Sequence, residues 1–215
     1  MRIQKKQLNE INKFLKKWRE ERHITLDMQK QGFKGNFYEE VSEFYRAVTK
    51  EEQIDALCDM LVFTLNTHGQ YIEDTLLNSN ALEEWVLDSR ERTLDIIIKD
   101  LLEEQTIKLV LDLIALLDQY TKNNSFECMQ EVLKEINSRT GSYSELQRKF
   151  IKDRGAYTLI EASKIRDDEY PDSLLWDDDK FYYIKEATGN VIRLSKWYKA
   201  DFRKYLEREN EKDST

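Results

Sequence analysis

Glu40, Glu43, Glu52, Asp55 and Asp59 are the residues of this chain whose types and spacing suit chemistry. They form an E-x-x-E pair followed by an E-x-x-D pair, with Asp59 one turn further on. Carboxylates three or four residues apart share a helix face, so two such pairs meeting across a helical hairpin would make a cage of hard oxygen ligands. Such a cage suits Mg²⁺, with Mn²⁺ as the alternative, and Mg²⁺ commonly brings a polyphosphate with it.

The helix that must carry the second pair is itself informative. At about 100° per residue, Glu52, Asp55, Asp59 and Asn66 fall within roughly one sixth of the circumference. Ile54, Leu57, Leu61 and Leu65 occupy the opposite side, and Ala56, Met60, Val62 and Phe63 fill the flanks. A helix this apolar is normally buried, and buried carboxylates need a cation or basic partners to neutralise them. On the preceding segment, Phe37, Val41, Phe44 and Val48 form an apolar stripe with Glu40 at its edge and Glu43 farther round, while Glu39 points toward solvent. Glu52 has a second reading. Thr49 stands three residues before it, the spacing of a capping box. That reading leaves Asp55 and Asp59 unexplained.

The elements that position these acids read as helices over 4–22, 37–48 and 51–70, with Gly32–Asn36 as a loop before the second. The first carries Leu8, Ile11, Leu15 and Trp18 on one stripe. Further helices are expected over 81–88, 91–104, 109–120 and 126–138, with Ser125 as an N-cap and Gly141 as a C-terminal cap. Beyond Gly141 the chain is polar, with short helical pieces at 144–151 and 157–164. A β-hairpin is expected from Phe181–Ile184 and Val191–Leu194, and a last helix over 196–210.

Composition sets bounds. The chain has 215 residues, 35% charged and 40% hydrophobic, with one proline and six glycines, which favours helices. A net charge of −8 argues against coating nucleic acid by bulk charge. The basic residues Lys5, Lys6, Lys13, Lys16, Lys17, Arg19 and Arg22 read as a solvated helix face. Two cysteines within apolar patterns, Cys58 and Cys128, suit a reducing compartment, and His23 and His68 lack zinc-site spacing. No signal peptide and no membrane span are expected, so the cytoplasm is the expected location.

The stretch Glu39-Glu40-x-x-Glu43 followed by Glu52-x-x-Asp55-Ala-Leu-x-Asp59 resembles the MazG-like all-α nucleoside triphosphate pyrophosphohydrolases, a superfamily that includes phosphoribosyl-ATP pyrophosphohydrolases and dimeric dUTPases. The resemblance implies an all-α MazG-like helical bundle over residues 1–141. Residues 71–125 would be a helical insertion, and 142–215 a small C-terminal α+β extension containing the hairpin and packed near the active site. It implies Glu40, Glu43, Glu52, Asp55 and Asp59 as metal ligands, with Glu43 or Asp59 as general base. The segments Glu127–Gly141, Lys149–Asp153 and Trp197–Asp201 are similar to stretches that lie near the nucleotide in relatives. From these come Asn137, Arg139, Lys152 and Lys199 as substrate-binding candidates: Asn137 reads a base or caps its helix, the three basic residues hold phosphates or stand as ordinary surface charges, and Trp197 and Tyr198 stack on a base or simply pack. The implied activity is Mg²⁺-dependent conversion of an NTP or dNTP to a monophosphate and pyrophosphate by a homodimer or homotetramer.

Two alternatives stand beside this reading. One narrows the substrate to dUTP or another deoxynucleotide. The other, from a different class, is a non-catalytic helical interaction protein whose acids pair with a partner's Lys or Arg, and it predicts neither hydrolysis nor stabilisation by metal.

Overall fold

The computed structural model describes residues 2–76 and 91–206. The expected helix at 81–88 and the end of the expected last helix at 207–210 lie outside these residues. The chain divides into two compact units. The first comprises Met1–Val132 with Asp201–Thr215, and the second Leu133–Ala200.

The first unit is helical. α1 (Lys5–Glu21) buries Leu8, Ile11 and Leu15. α2 (Leu26–Arg46) and α3 (Lys50–Thr75) form a helical hairpin, and α3 packs most extensively against α2, then against the helix Thr106–Thr121 and against α1. α4 (Leu94–Leu102) and α5 (Thr106–Thr121) follow, and α6 (Ser125–Ser138) runs across the division between the units. α8 (Arg203–Leu206) belongs to the first unit, where Lys204 reaches Glu131 at 2.9 Å.

α3 is buried nearly all round, as its composition dictates: Ile54, Leu57, Met60, Leu61 and Leu65 are fully buried. It is the central helix, and its Asp55 and Asp59 are half-buried. Its start is fixed by Thr49, whose Oγ1 accepts the Glu52 amide at 3.2 Å. Such a cap contributes about 1 kcal/mol. Near the other end, Asn12 of α1 donates to the Gly69 carbonyl at 3.1 Å. A Cβ at Gly69 would stand 2.3 Å from Asn12 Oδ1, so glycine is what lets α1 approach there.

The second unit corrects the all-α assignment. Six strands in two sheets form among residues 141–196, far more than a single hairpin appended to a bundle. β1 (Gly141–Ser144) pairs antiparallel with β2 (Lys149–Lys152). β3 (Gly155–Ala156), β4 (Leu174–Asp177), β5 (Phe181–Lys185) and β6 (Val191–Lys196) build a sheet of order β3-β6-β5-β4, with the β3–β6 pairing parallel. α7 (Leu159–Glu169), capped by Thr158, contributes Ala162 to a small core with Ala156, Tyr182, Ile184 and Leu194. Alternation decides the β5 register, since Tyr182 and Ile184 point inward while Phe181 and Tyr183 stand half exposed. The β5–β6 turn depends on Gly189 at φ +93°, a backbone conformation that side chains disfavour.

Other expectations change for identifiable reasons. The expected loop Gly32–Asn36 is helical, because Phe33 and Phe37 extend the buried stripe of α2 through the two glycines. Residues 144–151 form β1, a turn and β2 rather than a helix. Gly141 opens β1 instead of capping a helix, and its φ is not positive. Ser125 is the first residue of α6, fully buried, with its Oγ accepting the Ile3 amide at 3.0 Å and donating to Asp118. Of the expected helix at 196–210, the described part is helical only over Arg203–Leu206.

Candidate functional site

α2 and α3 run antiparallel as a hairpin, and Glu40, Asp55 and Asp59 are half-buried between solvent and core while Glu43 is exposed. Their convergence is visible in the Glu40 carboxyl, which is pushed up to about 8. Burial is the largest cause, followed by the charges of Asp59, Glu43, Asp55 and Glu39. A carboxylate is raised this way when it loses water and gains like-charged neighbours instead of donors. Acids from both helices therefore share one electrostatic neighbourhood.

Glu52 behaves differently. Its Oε2 accepts the Val48 amide at 2.7 Å and the Thr49 amide at 3.1 Å, completing a capping box. These hydrogen bonds, Thr49 first, lower its pKa, and the side chain is exposed. It is absent from the charges that act on Glu40. The wheel placed Glu52 with Asp55 and Asp59, but a first-turn residue has free backbone amides beside it, and the cap wins.

Among the described residues, no group of three or more His, Cys, Asp and Glu side chains lies close enough to chelate a metal as they stand. The donor chemistry nevertheless fits. Glu40, Glu43, Asp55 and Asp59 supply hard oxygens, and the raised Glu40 marks a place where added positive charge would be favoured.

The stripe of acids on α3 continues to Asn66, which accepts a 2.6 Å hydrogen bond from the buried guanidinium of Arg19. Burial lowers the Arg19 pKa. Arg19 thus departs from the expected solvated basic face; the sequence signal for its burial is its position four residues after Leu15, in line with the Leu8–Leu15 stripe. Arg22 is also buried, with its guanidinium 4.5 Å above the Trp18 ring. The two cysteines are free and buried, and burial raises both thiols, Cys128 to about 12.

Three of the four expected substrate-binding residues meet within the second unit. Arg139 lies 5.5 Å and Lys199 5.8 Å over the Tyr157 ring, and Lys152 lies 4.2 Å over Trp197. Burial and then the nearby Arg139 charge lower the Lys152 pKa. Glu135, at the end of α6, ties the group together. It accepts from Arg139 at 2.6 Å, from the Tyr157 hydroxyl at 2.8 Å and from the Ala200 amide at 2.8 Å. Trp197 and Tyr157 meet edge to face at 5.4 Å. Asn137 is exposed on α6 and joins none of these contacts. All of the chain's net negative charge lies outside residues 133–200, where 13 basic side chains slightly outnumber 12 acidic ones.

No family model matches this chain, no curated protein matches it, and no solved structure matches it. Among the described residues, no helix is long and apolar enough to cross a membrane.

Proposed function

We propose that the protein is a divalent-metal-dependent nucleoside triphosphate pyrophosphohydrolase whose active centre is the acid cluster of the α2–α3 hairpin. The observation that carries this reading is the Glu40 carboxyl, raised to about 8 by burial and by Asp59, Glu43 and Asp55 from two helices. Perturbed carboxylates gathered on a rigid scaffold are a common mark of functional sites. The resemblance of these positions to MazG-like enzymes supports the same reading, with homo-oligomeric assembly as part of it.

Glu40, Glu43, Asp55 and Asp59 would hold the metal, and Glu52 is left to its cap. Bound Mg²⁺ would neutralise the carboxylates and the phosphates and acidify a water. Glu40 and Asp59, half-buried, keep the centre partly dry, where charge interactions are stronger than in water. Glu43, the most exposed of the four, or Asp59 would take a proton from water. Water oxygen bonds to the α-phosphorus, the bond to the bridging oxygen breaks, and pyrophosphate leaves with that oxygen. Within the second unit, the chemistry of Arg139, Lys152 and Lys199 suits phosphate oxygens.

The test is pyrophosphate release from a panel of ribo- and deoxynucleoside triphosphates with Mg²⁺, comparing the native chain with Glu40→Gln. Release by the native chain and its loss in the variant is the expected result. Folded native protein that releases no pyrophosphate from any triphosphate would overturn the proposal in favour of a non-catalytic role for the acids.

A further inference from the structure

The stripe of α3 that carries Asp55 and Asp59 does not end with the acids. Phe63 follows one turn after Asp59 and Asn66 about two turns after it, so the face runs from carboxylates past an aromatic ring to an amide. Asp55, Asp59 and Phe63 are half-buried, whereas Met60, Leu61 and Val62 beside them are buried. This stripe is therefore the side of the core helix that solvent reaches. At about 1.5 Å per residue, Asn66 lies about 10 Å along the axis from Asp59.

At that end Arg19 of α1 donates from Nη1 to Asn66 Oδ1 at 2.6 Å. Both side chains are more than nine-tenths buried, Arg19 at 7% exposure and Asn66 at 4%. Among the described residues, Asn66 is the one hydrogen-bond partner of Arg19. Glu20, the acid whose charge acts on the guanidinium, is its exposed chain neighbour and makes no ion pair with it. A buried guanidinium with a single neutral partner is costly, and acceptors on a ligand would remove that cost. The remaining Arg19 nitrogens and Asn66 Nδ2 are not sealed from solvent. With Asn66 Oδ1 turned to Arg19, the pair presents N–H donors to whatever lies on the stripe.

We infer that Arg19 and Asn66 select the base of the substrate, favouring guanine over adenine and cytosine. Guanine offers two adjacent acceptors, O6 and N7, to a guanidinium fork, whereas adenine and cytosine turn an amino donor toward it. The inference rests on the pyrophosphohydrolase reading and names the substrate class of that same site. The phosphates lie at Asp55 and Asp59, the base lies against Phe63, and its keto edge meets Arg19 and Asn66. An aromatic ring between the acids and the guanidinium suits a base at that place better than a run of phosphates.

The test is kcat/KM for pyrophosphate release from the ribo- and deoxynucleoside triphosphates of all four bases with Mg²⁺, for the native chain, Arg19→Met and Asn66→Asp. Met keeps an apolar stem and removes every donor. In the native chain the guanine triphosphates are expected to exceed those of adenine and cytosine about tenfold, the discrimination of one bidentate contact. That ratio is expected to collapse to about one in Arg19→Met, with the circular dichroism spectrum unchanged. Should Arg19→Met fail to fold, Asn66→Asp carries the test: its carboxylate occupies Arg19 and adds an acceptor, so the ratio is expected to fall there too. Native activity without preference for guanine overturns this inference and leaves the hydrolytic reading standing. So does an equal loss for every base in the folded variants with the ratio kept, the mark of a phosphate contact. Release from no triphosphate overturns both.

Discussion

Glu40 in the first unit and Glu135 in the second are the same residue type, each withdrawn from water, and they titrate in opposite directions. Glu40 is raised to about 8, while Glu135 is lowered even though burial is the largest influence on it. The difference lies in the neighbours. Around Glu40 the named charges are all carboxylates. Around Glu135 stand the Ala200 amide, the Tyr157 hydroxyl, Lys199 and Arg139. Burial alone therefore does not mark a functional acid. One of these glutamates is a structural anchor with its donors in place, and the other is a carboxylate that a cation would complete.

The comparison breaks most clearly in activity. Glu40→Gln and Asp59→Asn are each expected to lower pyrophosphate release about a thousandfold, in the range of lost electrostatic stabilisation at an active centre. An equal loss in a folded Glu135→Gln variant would erase the distinction between anchor and site. Stability sharpens it next. Glu135→Ala leaves Arg139 and the Tyr157 hydroxyl without their carboxylate and is expected to cost about 3 kcal/mol in urea unfolding, as for other broken buried pairs.

Titration gives a smaller effect with opposite signs. Glu40 is raised in the folded state, so its contribution is most favourable below its unfolded value near 4.5 and is lost as pH rises toward about 8. In metal-free buffer the melting temperature should therefore fall across that window. Glu40→Gln should flatten the fall and raise the melting temperature at pH 8 by about 2–4 °C, corresponding to about 1 kcal/mol after allowance for solvent screening. Glu135 is lowered, so its contribution is present above the ordinary glutamate range and disappears as pH falls through its folded value. Millimolar Mg²⁺ should raise the melting temperature of the native chain at pH 8 by mass action and leave Glu40→Gln unmoved. The smallest effect belongs to Glu52→Ala, which removes half of a capping box. It is expected to lower the melting temperature only slightly and to leave the Mg²⁺ response intact. A lost Mg²⁺ response there would return Glu52 to the metal set.

The helical unit was legible because its signals are periodic. The apolar wheel of α3 and the stripe of α2 placed Glu40, Asp55 and Asp59 near one another before any coordinates. Residues 141–156 were not legible, because their strands are two to four residues long and hydrophobic alternation cannot register over so few positions. Gly32 and Gly35 suggested a loop where tertiary burial of Phe33 and Phe37 kept a helix. Glu52 was ambiguous in sequence for a physical reason, since a first-turn acid is a cap and a face residue at once.

The Tyr198 amide donates to Ser138 Oγ at 2.9 Å, so the two ends of residues 133–200 meet. A segment whose ends already stand side by side can be spliced into a host at a single loop with little stretching of either partner. The β-rich unit thus has the form of a cassette.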